Sequence, residues 1–194
     1  MHLTEAEVRT GIIHIENHRP DLRSVIELAE DEGEEQLTIN CTQLGDSLTP
    51  QFASAKEKKR ILREWCDHLK AHPTRFTELR FGTRMPQELF DAVCHQRRLV
   101  KLVIKWGAYE DLSAVEKLQD LRVLYIGSGA RVPSIAPFTK LPNLVGLSVE
   151  NFQKVTDYAP LAQLRTLRSL DILGDGLSPH HIEVDSLEFL TAMP

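Results

Sequence analysis

The chain contains 194 residues, of which 42% are hydrophobic and 26% are charged, and its formal net charge at pH 7 is −5. This size and apolar content suit one medium domain with a buried core, and the acidic balance speaks against nucleic acid or an anionic membrane as the main partner. Three widely spaced cysteines, with no signal peptide and no run of roughly 18 apolar residues, predict a soluble cytoplasmic protein with reduced thiols.

The N-terminal part of the chain begins with two strand patterns on either side of a helix pattern. Short β-branched runs predict strands at residues 11–17 and 35–41. Between them, Pro20 and Gly33 are typical of the start and the end of a helix, so residues 20–33 are predicted to be helical.

The strongest helix pattern in the chain lies at residues 54–73. Ser54 and Glu57 form a capping box, and Pro73 ends the pattern. One apolar stripe runs along this segment, at Ile61, Leu62, Trp65, Cys66 and Leu69. The helix is therefore predicted to pack one face against a core.

From residue 76 onward the sequence repeats itself at intervals of 22 or 23 residues. Each repeated segment has an apolar strand pattern, and the segments begin at Phe76, Leu99, Leu121, Leu144 and Leu167. The stretches between them carry an apolar residue at every third position, which predicts 3-10 turns or one stripe of a short helix. Each unit is thus predicted to consist of a strand, a turn and a tight helical return.

Such a unit cannot bury its leucines alone, but stacked units bury them in one continuous column. The repeat therefore predicts an α/β solenoid, with a parallel β-sheet on its concave side and short helices or 3-10 turns on its convex side. Its central expectation is that the second leucines of the repeats, Leu102, Leu124, Leu147 and Leu170, lie side by side in one parallel ladder.

The strand core LxxLxL, as in "LRVLYI" and "LRSLDI", resembles the leucine-rich repeat, and the short returns such as "LAQLRTL" are most similar to the internalin-like class. The resemblance covers about residues 76–194 and implies a non-enzymatic protein that binds other proteins. The sequence departs from the family where an asparagine should bond the turn between coils, at Arg84, Gly107, Gly129, Phe152 and Asp175. The backbone polar groups of these turns must therefore find their hydrogen bonds in another way.

The whole chain, residues 1–194, is interpreted as one solenoid domain. Residues 1–75 form irregular N-terminal strand-helix coils, and residues 76–194 form the tandem repeats with an incomplete last repeat. A separate α/β cap at residues 1–75 is the alternative.

The concave face of the predicted sheet is the candidate binding site. Side chains alternate along a strand, so the residues that flank the inward leucines point to this face. They grade from basic to acidic across the sheet, with apolar and aromatic residues in the middle, which is typical of a protein-binding patch. The predicted contact residues are Arg80, Lys101, Val103, Lys105, Trp106, Tyr125, Ser148, Glu150 and Asp171. The simpler interpretation is a sheet face of mixed composition without a partner.

A metal site is the alternative chemistry. An insertion near the last repeat contains His180, His181 and Asp185, which are residue types that bind divalent metals and could serve a metal-dependent hydrolase. The spacing is not that of a strong motif, and a plain polar loop is the simpler interpretation. His68 and His72, near Cys66, are better explained as helix C-terminal residues. The sequence therefore predicts no cofactor, no metal and no enzymatic activity.

The C-terminal segment "SLEFLTAMP" repeats the helical return of the earlier units but is not followed by a strand. Leu187 and Leu190 occupy the positions that Ile135 and Phe138 occupy in an earlier repeat. The chain is interpreted either as an architectural segment of a longer repeat protein or as a homodimer that joins through this uncapped end.

Overall fold

The structure is a computed structural model, and it describes residues 22–42, 54–175 and 181–193. Within these residues the strands are β1 (Ser24–Val25), β2 (Gln36–Ile39), β3 (Glu78–Pro86), β4 (Lys101–Ala108), β5 (Val123–Ile126), β6 (Gly146–Glu150) and β7 (Ser169–Leu173). The α-helices are α1 (Ala55–Ala71) and α2 (Gln87–Val93). The 3-10 helices are η1 (Leu28–Glu30), η2 (Ser113–Lys117), η3 (Ala136–Lys140), η4 (Ala159–Gln163) and η5 (Glu188–Ala192).

The strands form one parallel sheet, and their order in the sheet is their order in the chain. Each chain segment between strands therefore returns to start the next strand beside the last, which is the connectivity of a solenoid. Two rows of residues cross the sheet on its inner face. The first row is Leu37, Leu79, Leu102, Leu124, Leu147 and Leu170, and the second is Ile39, Phe81, Ile104, Ile126, Val149 and Ile172. The predicted leucine ladder is confirmed.

The helical returns cover the inner face of the sheet. The residues that precede η2, η3, η4 and η5 share one backbone conformation, with φ between −101° and −98° and ψ between 1° and 4°. Val115, Phe138 and Leu161 occupy the same place in successive returns, and all three are buried. The three-residue rhythm of the sequence is therefore the rhythm of stacked 3-10 turns, because residues i and i+3 eclipse in this helix.

The predicted helix at residues 54–73 is confirmed as α1. Its first turn is capped by Ser54, whose hydroxyl accepts a hydrogen bond from the Glu57 amide at 3.1 Å. Trp65 and Leu69 are buried on the predicted stripe. The shorter α2 follows β3 directly and is an additional helix in the wide N-terminal coils.

The predicted helix at residues 20–33 is wrong for the residues that the structure describes, because 22–33 contain β1 and η1 instead. Tertiary contacts explain the difference. Val25 is buried and pairs with Ile39 of β2, and the Trp65 indole donates a hydrogen bond to the Ile26 carbonyl at 2.8 Å. An extended segment satisfies these contacts and a helix would not. The strand predicted at 11–17 lies outside the described residues.

Aromatic rings fill the turns where the asparagines of the family would stand. A Cβ atom at Gly129 would lie 2.2 Å from the ring of Phe152, and one at Gly107 would lie 2.4 Å from the ring of Tyr109. The Tyr109 hydroxyl also donates to the Gly127 carbonyl at 2.8 Å. The two glycines leave room for the rings, and the rings replace the side-chain ladder that the sequence lacks.

The α-helices of the described residues include none that is both long and apolar enough to cross a membrane.

Candidate functional site

The candidate site is the outer sheet face, defined here as the side chains of β3–β7 that point away from the core. The register of the sheet arranges them in two rows. The first row is Glu78, Lys101, Val123, Gly146 and Ser169, and the second is Arg80, Val103, Tyr125, Ser148 and Asp171. Six of the predicted contact residues lie in these two rows: Arg80, Lys101, Val103, Tyr125, Ser148 and Asp171. The role of all nine in binding stays a prediction.

The first row is buried. Its basic residue, Lys101, belongs to a cluster of ion pairs with Glu78 and Arg80. Glu78 places its Oε1 atom 3.0 Å from Arg80 Nη2 and 3.3 Å from Lys101 Nζ. The Lys101 side chain is only 2% exposed. Because breaking a buried ion pair leaves an uncompensated charge, Lys101 is held in the protein by Glu78 and is out of reach of a partner.

Ser148 is also buried, between Tyr125 and Asp171 in the second row. Its hydroxyl has no hydrogen-bond partner among the described residues. The accessible part of the outer sheet face therefore consists of the other predicted residues, and Ser148 forms part of its floor.

The exposed basic part of the face lies where β3 and β4 run past the shorter strands of the sheet. A register shift between Phe81 and Arg84 interrupts their ladder, which resumes with Arg84 opposite Trp106. Lys105 is exposed, with its Nζ atom 5.6 Å from the centre of the half-buried Trp106 ring. Such a cation over an indole is an attractive contact.

Arg84 is a further exposed residue of β3, and it lies opposite Trp106 after the register shift. Counting inward and outward positions from Leu79 places Arg84 on the outer side and the buried Met85 on the inner side, so alternation along the strand was the available signal for this residue. Gly82 lies within the register shift, as is typical of a glycine in a strand.

Tyr125 and Glu150 form the centre of the outer sheet face. The Tyr125 hydroxyl donates a hydrogen bond to Glu150 Oε2 at 2.8 Å. Burial, and next the bond to Glu150, raise the pKa of Tyr125 well above its usual value, so the phenol stays neutral and remains a donor. This bond fixes the ring of Tyr125 and the carboxylate of Glu150 relative to each other.

Gly127 leaves room for the carboxylate of Glu150. A Cβ atom at Gly127 would be 2.3 Å from the Lys105 carbonyl oxygen and 3.0 Å from Glu150 Oε2. Without that atom, the Glu150 carboxylate lies beside the chain at Gly127, just after β5. The face therefore carries an exposed ammonium group on β4 and a carboxylate from β6.

The acidic part of the face lies on β6 and just beyond β7. Glu150 and Asp171 are half-buried on neighbouring strands. Asp175 follows β7 and accepts a hydrogen bond from the Asn151 amide at 3.1 Å. The gradient from basic to acidic that the sequence predicts is present in the arrangement of these side chains.

The metal-dependent alternative is not favoured. Within residues 22–42, 54–175 and 181–193, no group of three His, Cys, Asp or Glu side chains is placed to hold a metal ion. His181 is exposed, and Asp185 accepts a hydrogen bond from the Thr156 hydroxyl at 2.7 Å, which anchors its loop. His180 lies outside the described residues.

The three cysteines are free and buried. Burial raises the pKa of the Cys41 thiol to about 12 and that of the Cys66 thiol to about 11. Both groups are therefore protonated at neutral pH, and a protonated thiol is neither a good nucleophile nor a metal ligand.

The last helical return has the predicted backbone but a different burial. Leu187 and Leu190 are 62% and 45% exposed, whereas Ile135 and Phe138 at the equivalent positions are buried. Phe189 is buried instead, and its ring stacks on Tyr158. The homodimer through this end stays a prediction.

Repeated strands form one parallel ladder and start 22 or 23 residues apart from β3 onward, and tight 3-10 returns join them from β4 onward. This arrangement decides the architecture. The fold is a leucine-rich repeat solenoid. No protein-family model matches the chain, and no curated protein matches it either.

Solved structures of internalin-like and receptor proteins are similar to this leucine-rich repeat chain. Internalin inlF from Listeria monocytogenes str. 4b F2365 is 21% identical, with a TM-score of 0.44, over 62% of this chain and 40% of its own. Internalin C2 from the same organism is 15% identical, with a TM-score of 0.41, over 71% and 68%. The plant peptide hormone receptor RGFR1 in complex with RGF2 is 14% identical, with a TM-score of 0.38, over 81% and 22%.

These likenesses concern the fold alone. The chain spans less than half of the length of the inlF and RGFR1 structures. The leucine-rich repeat fold that the sequence predicts is confirmed by the ladder and the returns of the structure itself.

Proposed function

We propose that this protein is a non-enzymatic scaffold that binds another protein through its outer sheet face. One observation carries the proposal: Val103 and Tyr125 are partly exposed side by side on adjacent strands, with the basic Lys105 and the partly exposed Trp106 further along β4 and the acidic Glu150 at the end of β6. Partly exposed aromatic residues inside a charged rim are the usual anchors of a protein interface.

The rigidity of the face supports the proposal. Val103 and Tyr125 stand on adjacent, hydrogen-bonded strands, and the Tyr125 ring is held by Glu150 at 2.8 Å. A surface whose side chains are already ordered loses little conformational entropy when a partner binds. A regular parallel ladder with fixed side chains therefore suits recognition better than a mobile loop would.

The proposal treats residues 1–194 as one solenoid domain. β1 and β2 pair with each other and with β3 in the same sheet, which argues for N-terminal coils continuous with the repeats rather than for a separate cap.

A double substitution on the outer sheet face tests the function. Tyr125→Ala with Lys105→Glu removes the central ring and reverses the exposed charge, so we expect at least about a tenfold loss of affinity for a partner isolated with the wild-type chain. The measurement is a titration with the purified partner, by calorimetry or fluorescence anisotropy.

The matched control is Lys140→Glu, which makes the same charge change on the exposed side of η3. Circular dichroism and a thermal melt of each variant show whether the fold is retained. Equal affinity of the double variant and the wild type would contradict the assignment of the binding face.

A further inference from the structure

We infer that the outer sheet face takes an extended protein segment with charges of opposite sign near its two ends, laid across the strands. An acidic side chain of this segment lies against Lys105 and Arg84, and a basic side chain lies against Glu150. The inference rests on the proposed function and adds the chemistry of the partner to it.

The basic end of the face is available for an acidic group. Lys105 and Arg84 are both exposed, and neither forms a salt bridge with another residue in the part of the chain that the structure describes. The Trp106 ring beside Lys105 gives this end an apolar wall. A carboxylate that binds two cations next to an indole is partly shielded from water, which strengthens the pair.

The acidic end of the face is available for a basic group. Glu150 accepts one hydrogen bond, from Tyr125, and forms no salt bridge with a described residue. A lysine or arginine of a partner that reaches Glu150 would therefore pair with a carboxylate that the Tyr125 hydroxyl already holds in place.

The distance between the two ends matches a short extended peptide. Lys105 is on β4 and Glu150 is on β6, so two strand spacings separate them, which is about 10 Å. An extended chain covers this distance in about three residues. Val103 on β4 and Tyr125 on β5 offer apolar and aromatic surface, so an apolar residue between the two charged residues has a place to pack.

The charge arrangement favours a protein segment over a nucleic acid. A phosphate backbone would be attracted electrostatically to Lys105 and Arg84, but it would be repelled by Glu150 and Asp171 on the same face. A free anion or a free cation would satisfy one end only. A polypeptide that carries both signs is the occupant that complements the whole surface.

A peptide-display selection tests the inference. Short linear peptides are selected on the immobilised wild-type chain and counter-selected on the Tyr125→Ala variant, so that the retained peptides require the outer sheet face. We expect them to carry one acidic and one basic residue, separated by about two to four positions.

A charge exchange then tests the pairing. Lys105→Glu, an exposed change that leaves the core intact, is expected to weaken a selected peptide about tenfold, whereas Lys140→Glu on η3 leaves its affinity unchanged. Replacing the acidic residue of the peptide by lysine is expected to restore most of the affinity for the Lys105→Glu variant and to weaken binding to the wild type.

The outcomes separate this inference from the proposed function. Tyr125-dependent peptides without the paired charges, or with affinities that Lys105→Glu does not change, would overturn the inference and leave the binding face intact. Failure to enrich any Tyr125-dependent peptide would overturn both. Paired charges together with rescue by the exchanged peptide would establish the inference.

Discussion

Gly127 is the residue on which the geometry of the outer sheet face most depends. A methyl group there would meet the backbone oxygen of Lys105 at 2.3 Å, and backbone cannot move without disturbing the ladder between β4 and β5. We therefore expect Gly127→Ala to lower the free energy of unfolding by about 2–3 kcal/mol, as overpacking of ordered structure does. Urea denaturation measures the change.

Gly82→Ala is the control for this prediction. The nearest atom to a Cβ at Gly82 is the Oδ1 atom of the Asn40 side chain, at 3.0 Å, and a side chain can shift at small cost. We expect Gly82→Ala to lower the free energy of unfolding by less than about 1 kcal/mol. Equal losses at the two glycines would show that the close approach at Gly127 is not a rigid constraint.

The residues of the outer sheet face were only partly predictable from the sequence. Alternation correctly grouped Val103, Tyr125 and Asp171 in one row, because the side-chain period of a strand is two. Burial on this face was not predictable, because it depends on how neighbouring side chains pack over one another. Lys101 is buried in an ion pair with Glu78, and Ser148 is buried among its neighbours on the sheet.

Among the elements, the C-terminal end of α1 is tied to the segment before β3 by the buried side chain of Gln96. Its Nε2 atom donates to the carbonyls of Leu69 and His72 at 2.5 and 3.0 Å, and its Oε1 atom accepts from the Phe76 amide at 3.2 Å. Gln96→Leu keeps the volume but removes all three bonds, so we expect a loss of about 3 kcal/mol in the free energy of unfolding.

The control for Gln96 is Gln119→Leu. Gln119 also bonds two carbonyls, those of Glu116 and Lys140, but it is exposed, so water replaces the lost bonds. We expect Gln119→Leu to change the free energy of unfolding by less than about 0.5 kcal/mol. If chemical denaturation gives similar values for both variants, the buried bonds of Gln96 do not anchor α1.

His68 on α1 makes the stability of the N-terminal coils depend on pH. Its Nε2 atom is buried 3.8 Å from Asp31 Oδ2, its ring lies 4.5 Å from that of His72, and Arg75 pairs with the same Asp31 at 2.8 Å. Burial, and then the charge of His72, lower the pKa of His68 in the folded protein, although Asp31 opposes the shift. The folded state thus disfavours the imidazolium form.

The sign of the pH effect follows from this lowered pKa. Below about pH 6.5, the unfolded chain binds the proton more readily than the folded chain, so stability is full above that pH and decreases as the pH falls. Denaturation between pH 7.5 and about pH 5 is therefore expected to show a steeper loss for the wild type than for His68→Gln. Equal slopes would contradict the desolvation of His68.

Helices and strands were predictable where their own pattern agrees with their packing. α1 has a cap, an apolar stripe and a proline stop, and it forms as predicted. The segment 20–33 carries helix signals at both ends, but the pairing of β1 with β2 and the Trp65 bond to Ile26 decide the conformation of residues 22–33. Contacts between residues far apart in the chain are not visible in a local pattern.

At the scale of the whole molecule, the repeat made the fold predictable. The 22- to 23-residue interval and the leucine positions gave the strand order, the register and the inner rows, because stacked coils place equivalent residues side by side. The filling of the turns by Tyr109 and Phe152 was not predictable, since the sequence shows only that the usual asparagine is missing.

The two tryptophans of the chain allow the most direct test of the binding face. Trp106 is half-buried on β4 beside the exposed Lys105, whereas Trp65 is buried and bonds Ile26 on the N-terminal coils. In a nuclear magnetic resonance titration with a partner protein or selected peptide, the indole N–H signals, assigned with Trp106→Phe, report the two places separately. We expect the Trp106 signal to move to saturation while the Trp65 signal stays in place. A saturating complex that leaves Trp106 unchanged would contradict the account.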